Sequence, residues 1–239
     1  MEATDNTGNE ILEVIAKASK FNYWMYTTIK PYLKGNILEI GSGIGNISTY
    51  LLADNASITL SDTDPYYTNI LQEKFSRYNN LKNILQIDIL DTNFEITYAA
   101  YKDSFDTVFL LNVLEHIADD KKAVKNCKYL LKPAGKLVIL TPAYKFLYSS
   151  LDKALGHYRR YTIGRIKKLF DENNLKVEKS FYFNALGIVA WLYGKIFRLK
   201  TIPAGEMGFY NRLTGLAKII DKISFKKTGL SVIAIGEKI

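Results

Sequence analysis

Short apolar, β-rich runs alternate with amphipathic helical segments along most of this chain of 239 residues. Such alternation is typical of parallel strands that are buried on both faces and joined by right-handed helical crossovers. The sequence therefore predicts an α/β fold with a doubly wound, mostly parallel sheet in a three-layer sandwich. The predicted strands are 36–40, 57–61, 83–88, 105–111 and 135–141. The predicted helices are 46–54, 65–78, 119–131 and 162–173.

The pattern changes at both ends of this region. An amphipathic helix is predicted over 9–31, and residues 176–183 and 230–238 are predicted to form two further strands. Helices at 185–199 and 208–225 are predicted between those strands. The apolar window "ALGIVAWLYGKIF" is shorter than the roughly 20 residues of a membrane span, which favours a buried or pocket-covering helix. A peripheral membrane contact through 185–199, or a dimer face, is the alternative.

Charge and cysteine content limit the environment and the partners. The formal net charge is +8, which favours a lysine-rich surface, with attraction to an anionic partner as the alternative. The start "MEATDNTGNE" lacks the basic and apolar parts of a secretory signal. The single cysteine, Cys127, excludes an internal disulfide and lies on the apolar face of its helix. The sequence therefore predicts a cytoplasmic protein with a buried thiol.

The segment "NILEIGSGIGNIS" (36–48) contains the strongest local signal for a ligand site. Glycines at 41, 43 and 45 permit unusual backbone angles after the first strand and allow a ligand to lie on the main chain. The following helix would present free N–H groups and the positive end of its dipole. Nucleotides, phosphates and tight turns all produce such a loop, so the glycines alone do not identify the ligand.

Three acidic residues narrow the choice of ligand. Asp62 and Asp88 end the second and third predicted strands, and Glu39 lies inside the first. Acids at three adjacent strand ends suit a ligand with a nucleoside and an ammonium group but no phosphate. Asp62 and Asp64 are alternative caps for the helix at Pro65, and we assign the ligand to Asp62 and the cap to Asp64. For Asp88, the alternative to a ligand contact is that of an ordinary turn residue at the end of its strand.

Five ordered motifs resemble those of class I S-adenosylmethionine-dependent methyltransferases over about residues 36–142. They are "ILEIGSGIGNIS", "LSDTDP", "LQIDILD", "FDTVFLLNVLEHIADD" and "LKPAGKLVILTP". The resemblance implies a seven-stranded sheet whose last strand, 230–238, runs antiparallel. It also implies in-line methyl transfer from S-adenosylmethionine. With no linker or repeat visible, we expect a single domain over 1–239, divided into a helical cap (1–34), a cofactor-binding core (35–142) and an acceptor side (143–239).

The resemblance also implies which residues hold the methionine and ribose parts of the cofactor. Glu39 and the backbone at Gly41 and Gly43 would hold the methionine end. Asp62, with Thr63 beside it, would bind the ribose. These assignments transfer the positions of the family motif to the matching positions of this sequence.

Further cofactor contacts follow from the same resemblance. Asp88 and the amide of Ile89 would bind the adenine, and the backbone near Asn112 would help to hold the amino group. In "FNYWMY" (21–26), an aromatic face that includes Tyr23 would contact the sulfonium cation. Core packing of Trp24 is the alternative for that segment.

The segment "LDKALGHYRRYT" (151–162) follows the fifth strand and predicts the acceptor site. His157 is the predicted base, and an arginine would anchor a phosphate or carboxylate. The equal alternative is a lid held by arginine–tyrosine stacking and a Thr162 N-cap. His116, in "LEHI", is a weaker candidate for the base, and a similar GHxRRY loop occurs in one branch of the family. The predicted substrate-binding residues are Tyr158, Arg159, Arg160 and Tyr161.

Other functions fit the sequence less well. An NAD-dependent dehydrogenase lacks support because position 46 is Asn where the G-x-G-x-x-G motif needs glycine. A nucleic-acid methyltransferase would suit the charge, but no RNA-binding module or Asn/Asp-Pro-Pro-aromatic motif is visible. A non-catalytic S-adenosylmethionine-binding relative is disfavoured because the cofactor positions are intact. We therefore expect a small-molecule or lipid-linked acceptor with an anionic head and an apolar body. No metal site is predicted, and the oligomeric state is not predicted either.

Overall fold

Seven strands form one sheet in the computed structural model, which describes residues 12–199 and 204–239, without the side chains of 204–207, 209 and 210. The strands are β1 (Ile37–Ile40), β2 (Ile58–Asp62), β3 (Leu81–Gln86), β4 (Phe105–Leu111), β5 (Leu131–Pro142), β6 (Leu175–Phe183) and β7 (Ser231–Lys238). Their order is β3-β2-β1-β4-β5-β7-β6.

Because strands β1 to β5 run parallel, the loops that follow them lie at the same edge of the sheet. β1 pairs in parallel with β2 and β4, and β3 and β5 continue the parallel sheet on either side. β7 lies between β5 and β6 and runs antiparallel to both. The predicted doubly wound sheet with an antiparallel last strand is therefore confirmed. The strand order reverses between β1 and β4, which is where such sheets bind their ligands.

Nine α-helices with both ends in the described residues cover the two faces of the sheet, in addition to the helical residues 12–16. They are α1 (Ser19–Ile29), α2 (Ser48–Ala53), α3 (Pro65–Phe75), α4 (Phe94–Thr97), α5 (Asp120–Leu130), α6 (Ser150–Ala154), α7 (Ile163–Glu172), α8 (Gly187–Ile196) and α9 (Ala204–Ile223). Two predicted caps are present. Asp64 accepts a hydrogen bond from the Tyr66 amide at 2.8 Å, and Thr162 accepts one from the Arg165 amide at 3.2 Å. Both satisfy amide groups that the first helical turn leaves free.

Alternate residues of the central strands pack into two separate cores. On β5, Leu137 and Ile139 face the core under α5 and α7, whereas Val138 and Leu140 face the core under α1, α2 and α3. Cys127 is fully buried in the first core, and burial raises the pKa of its thiol to about 12. The prediction of a buried thiol is therefore confirmed.

The N-terminal segment differs from the single helix predicted over 9–31. Positions 9–11 lie outside the described residues, and the helix is interrupted at Lys17 and Ala18. Tertiary contacts account for the break, because Ala18 is fully buried and the side-chain amide of Asn22 (Nδ2) donates to the Ile15 carbonyl at 2.9 Å. The segment before the break reaches the glycine loop, where the Leu12 carbonyl accepts a 3.2 Å hydrogen bond from the side-chain amide of Asn46.

Helix α8 is not fully buried, so of the two predicted options, a buried or a pocket-covering helix, the first is wrong. Gly187 at its start is buried, but Val189 and Ile196 are 65% and 73% exposed. Its inner side packs on the segment after β5, where the Trp191 indole N–H donates to the Leu147 carbonyl at 3.0 Å. Among the described residues, no helix combines the length and apolarity needed to span a bilayer.

Candidate functional site

The three glycines after β1 have different physical roles. All have positive φ, at +70° for Gly41, +53° for Gly43 and +77° for Gly45. A Cβ on Gly41 would lie 2.5 Å from Val113 Cγ2, and one on Gly45 would overlap the Phe75 ring. A Cβ on Gly43 would meet only the flexible end of Leu12, at 3.3 Å. Packing against Val113 and Phe75 therefore requires glycine at positions 41 and 45. At Gly43 the nearest side chain is the flexible end of Leu12, so packing does not require glycine there.

Asp62 supports this loop from the end of β2. Its Oδ2 accepts a hydrogen bond from the Gly43 amide at 2.8 Å, and its Oδ1 accepts one from the Asp64 amide at 3.2 Å. Burial raises the pKa of this carboxyl, and the hydrogen bonds from the two amides oppose that rise. Thr63, the predicted neighbour of Asp62 in the ribose site, is exposed beside it.

Glu39 is a buried carboxyl beneath the glycine loop. It is 5% exposed, and Ser48 donates to its Oε2 at 2.5 Å. Burial raises the pKa of Glu39 to about 7, although hydrogen bonds from Ser48 and Ser42 oppose the rise. At neutral pH this carboxyl is therefore about half ionised, so a cation placed beside it would be stabilised on ionisation.

The predicted adenine and amino-group positions lie at the same edge of the sheet. Asp88 is exposed and accepts a hydrogen bond from the Leu90 amide at 2.8 Å, which is the turn role considered as its alternative. The Ile89 carbonyl accepts a hydrogen bond from the side-chain amide of Asn126 at 2.8 Å. Asn112 is exposed, has φ of +54° and donates its backbone amide to the Leu140 carbonyl.

The aromatic residues of α1 separate into a buried and an exposed set. Trp24 is buried, with its ring centroid 4.3 Å from that of Phe183, so the core-packing alternative is confirmed for it. Tyr23 is exposed, and its ring contacts those of Tyr50 and Tyr26 at 5.5 and 6.3 Å. The contact of Tyr23 with a sulfonium cation stays a prediction.

A second group of polar residues follows β4 and β5. We call Glu115, His116, Asp152, His157 and Arg160 the acceptor-side cluster. The carboxylate of Asp152 is fully buried at its centre, and its Oδ1 lies 2.8 Å from both His157 Nδ1 and Arg160 Nε. Burial opposes ionisation of Asp152, but its interactions with His157 and Arg160 outweigh burial and hold its pKa below the ordinary value.

The two histidines of the chain are neighbours in this cluster. Their ring centroids are 4.6 Å apart and the rings are nearly perpendicular, at 84°. The hydrogen bond to Asp152 commits Nδ1 of His157 and leaves Nε2 as its remaining ring nitrogen. His116 has an exposed part, but desolvation of its ring, followed by the effect of His157, lowers its pKa to about 4. His116 is therefore neutral at physiological pH.

Two buried atoms of the cluster have no hydrogen-bond partner among the described residues. They are Glu115 Oε2 and Arg160 Nη2. Burial raises the pKa of Glu115 to about 8, and the charge of Arg160 opposes the rise. The Arg160 guanidinium lies 4.2 Å from the ring centroid of Trp191 and donates to the Ala143 carbonyl at 3.1 Å. An unpartnered buried polar atom is costly, so such atoms mark a place where something else can bind.

Three of the predicted substrate-binding residues are occupied by protein partners. Arg159 pairs with Asp120 at 2.8 Å, and the buried hydroxyl of Tyr161 donates to the same carboxylate at 3.1 Å. Arg160 is held by Asp152, whereas Tyr158 is exposed. These contacts and the Thr162 cap hold the segment 151–162 against the rest of the protein, and its role as acceptor site or lid stays a prediction.

Sequence reasoning missed Glu115 and Asp152. An acid in the apolar segment "NVLEHI" is one signal, since an acid there would be buried. Asp152 precedes His157 by five residues in the predicted acceptor segment, but nothing in that spacing shows that the two side chains meet. A surface cavity of about 340 Å³, lined by Tyr26, Lys30 and Ser57 among others, lies near the start of β1, at the edge of the sheet away from the glycine loop. Its lining includes neither Glu115 nor Asp152.

Comparisons with known proteins find similarity to methyltransferases. Residues 38–137 match a family model described as "Methyltransferase domain". The fold is a methyltransferase fold. A ubiquinone biosynthesis O-methyltransferase of Xanthomonas euvesicatoria pv. vesicatoria is 32% identical over 149 residues. That match spans 57% of this chain and 60% of the relative, so the chain spans less than two thirds of its length.

Two solved structures show how widely this methyltransferase fold is used. Phosphoethanolamine N-methyltransferase 2 of Haemonchus contortus, in complex with S-adenosyl-L-methionine, has a TM-score of 0.60 at 17% identity, covering 91% of this chain and 52% of that one. The [4+2]-cyclase SpnF has a TM-score of 0.59 at 13% identity, covering 90% of this chain and 79% of that one. At these identities the likeness establishes the fold alone.

Proposed function

We propose that this protein transfers the methyl group of S-adenosylmethionine to a small-molecule acceptor. The observation that carries the proposal is the glycine loop at the strand-order reversal, with the carboxyls of Glu39 and Asp62 buried against it. A methyltransferase domain match over residues 38–137 supports it. Buried carboxyls beside the loop would repel a pyrophosphate, but they suit a ligand that carries an ammonium group and ribose hydroxyls.

The donor set fits S-adenosylmethionine. Glu39 would face its ammonium group, Asp62 its ribose and Asp88 its adenine, and Gly43 would let the ligand lie close to the main chain. The bound cofactor supplies a methyl group that is already activated as a sulfonium. The protein then has to align the acceptor with that methyl group and exclude water from it. The Haemonchus contortus enzyme with the same fold is described as a complex with S-adenosyl-L-methionine, which supports the choice of cofactor.

The acceptor is proposed to lie between the loops after β4 and β5 and helix α8. This region combines the buried polar cluster with exposed apolar side chains on α8, such as Val189 and Ile196. An amphiphilic or lipid-linked molecule with a polar head and an apolar body suits that combination. The Xanthomonas relative is named as an O-methyltransferase of ubiquinone biosynthesis, which supports a hydroxyl-bearing acceptor. Nε2 of His157 is the ring nitrogen that is left for a proton or a cation.

Calorimetric titration of the purified chain with S-adenosylmethionine and with NAD tests the cofactor. We expect saturable binding of S-adenosylmethionine alone, weakened at least about tenfold by Asp62→Asn, because one carboxylate oxygen that would serve both the loop and the ribose becomes a donor. Asp171→Asn, at an exposed position on α7, is the matched control and should bind like the wild type. Binding of NAD, or of neither ligand, by folded protein would contradict the proposal.

A second candidate is a protein that binds the cofactor without transferring its methyl group. Two observations favour it: the fold is shared with the cyclase SpnF, and Arg159 and Tyr161 are occupied within the protein. Incubation with methyl-labelled S-adenosylmethionine and a panel of phenolic and lipid-linked hydroxyl acceptors separates the two. Label in an acceptor supports the transferase, and tight cofactor binding with no transfer to any acceptor supports the second candidate.

A further inference from the structure

Three side chains of the acceptor-side cluster bring possible metal-ligand atoms close together. Glu115, His116 and His157 each contribute one such atom, and these atoms all lie within 4.8 Å of one another. Glu115 and His116 follow β4, whereas His157 follows α6 on the next parallel crossover. The fold therefore assembles two imidazoles and a carboxylate from segments that are distant in sequence.

Glu115 independently indicates that something binds here. The residue is 1% exposed, and its Oε2 has no hydrogen-bond partner among the described residues. An unpartnered buried oxygen of this kind is costly unless a water, a ligand or an ion binds it. A metal ion needs only the space between its ligands, which it contacts at about 2.0–2.2 Å.

Glu115 is the carboxyl of the cluster that has no ion pair among the described residues. Asp152 and Arg160 pair at 2.8 Å with both side chains fully buried, so they neutralise one another. His116 and His157 add no fixed negative charge, and Glu115 has no ion pair among the described residues. A buried carboxylate in that position is stabilised either by a proton or by a bound cation.

The hydrogen bond between Asp152 and His157 is of the kind that accompanies metal ligands. Oδ1 of Asp152 lies 2.8 Å from Nδ1 of His157, which fixes the orientation of the ring and directs Nε2 away from the carboxylate. Histidines that bind metals usually donate their second ring N–H to a carboxylate or a carbonyl. His116, with its exposed part, leaves a path by which an ion could enter from solvent.

We propose that Glu115, His116 and His157 bind a divalent first-row transition ion, with Asp152 as the outer carboxylate that orients His157. Two imidazoles and one carboxylate suit Zn²⁺, Co²⁺ or Fe²⁺, whereas Mg²⁺ and Ca²⁺ prefer oxygen ligands. The site goes beyond the proposed methyl transfer and does not depend on it. In the ion-bound protein, Nε2 of His157 is a ligand, so His157 is not the base that the sequence predicted.

Cobalt binding to the tag-free full chain, stripped with EDTA and dialysed, tests the site without S-adenosylmethionine. We expect one Co²⁺ per chain by calorimetry, a visible d–d absorption band, displacement by Zn²⁺, and no displacement by equimolar Mg²⁺. Because the chain has two histidines and both belong to the site, paramagnetic shifts of imidazole protons report on this site alone. Glu115→Gln and His157→Gln should each weaken binding at least about tenfold.

His116→Gln is the variant that keeps the test decisive if the buried substitutions disturb folding, since His116 has an exposed part and lies outside the Asp152–Arg160 pair. Glu172→Gln, which alters a carboxylate on α7, is the matched control and should bind cobalt like the wild type. The proposal is overturned if folded wild-type protein binds neither Co²⁺ nor Zn²⁺. It is equally overturned if His116→Gln and Glu115→Gln leave the affinity and the absorption band unchanged. S-adenosylmethionine binding, measured separately, shows whether the cofactor proposal stands.

Discussion

Asp62 Oδ2 lies 2.8 Å from the amide nitrogen of Gly43 and accepts its hydrogen bond. The acid that ends β2 is therefore also part of the framework of the loop that follows β1. Under the proposed function the same carboxylate would also bind the ribose, which would link the stability of the loop to the affinity for the ligand. The two roles can be separated, because one is measured without ligand and the other with it.

Asp62→Asn should lower the free energy of unfolding by about 1–3 kcal/mol in the absence of ligand. The reason is that an amide replaces a buried carboxylate oxygen that accepts a backbone N–H, and charged hydrogen bonds contribute roughly 1.5–3 kcal/mol. Urea denaturation followed by circular dichroism measures the change. Asp171→Asn should stay within about 0.5 kcal/mol of the wild type, as exposed substitutions usually do. Equal stability of the two variants would show that the Gly43 contact does not support the loop.

Affinity for S-adenosylmethionine should increase with pH through neutrality. Glu39, with its pKa raised to about 7 by burial, is mostly protonated at lower pH and cannot then pair with an ammonium group. Between about pH 7.5 and pH 6 its ionised fraction falls by close to tenfold, and the association constant should fall with it. Calorimetry across this range makes the measurement. In Glu39→Gln the affinity should be low and independent of pH over the same range, and a parallel decline in both proteins would assign the pH dependence to another group.

Glu39→Gln should stabilise the ligand-free protein at alkaline pH. The pKa of Glu39 is about 7 when folded and 4.5 in its ordinary environment, so the folded state binds more protons between these values. Stability from this group is therefore present at low pH and is lost as pH rises through that interval, by on the order of 3 kcal/mol. Urea denaturation should show the variant more stable than the wild type at about pH 8, and the difference should shrink towards pH 4.5. A variant less stable than the wild type at both pH values would contradict the burial of an ionised carboxyl.

Gly45→Ala should destabilise the protein more than Gly156→Ala. Both glycines have positive φ, at +77° and +73°, so both variants carry the backbone cost of about 1–2 kcal/mol. A Cβ at Gly45 would also overlap the Phe75 ring, whereas a Cβ at Gly156 would have nothing within 4 Å. We expect a total loss above about 3 kcal/mol for Gly45→Ala and about 1 kcal/mol for Gly156→Ala. Denaturation midpoints compare the two, and similar values would show that Phe75 moves aside without cost.

The sheet could be predicted from the sequence because its signals are local. Each strand of the parallel part is an apolar run between turn residues, and its ends differ from the predicted ones by only a few residues, as at Ile37–Ile40 and Phe105–Leu111. The break in the N-terminal helix could not be predicted, since it depends on burial of Ala18 and on the contact between Asn22 and Ile15. The composition of α8 likewise does not show which of its sides has a neighbour.

The parts of the candidate site that are formed by a single segment of the sequence could be predicted. The parts that are formed by contacts between two distant segments could not. The glycines after β1 and the acids at the strand ends appear as motifs, although the clash of Gly45 with Phe75 does not. Glu115 gains its significance only when His157 is brought beside it by the crossover after β5. Arg160 was predicted to bind the acceptor, and in the structure its Nε binds Asp152, which lies eight residues earlier. Side-chain partners of this kind follow from packing, which a single sequence does not specify.

The antiparallel position of β7 brings both ends of the segment 184–230 together. The Leu230 amide donates to the Asn184 carbonyl at 2.9 Å, so this segment leaves the sheet and returns to it at nearly one point. The entropy of closing such a loop grows only slowly with its length, at about 0.6 kcal/mol per doubling. Helices α8 and α9 could therefore be lengthened, shortened or exchanged during evolution while the strand pairing and the glycine loop stay intact. Under the proposed function, a new acceptor would then be acquired by replacing this one segment of the chain.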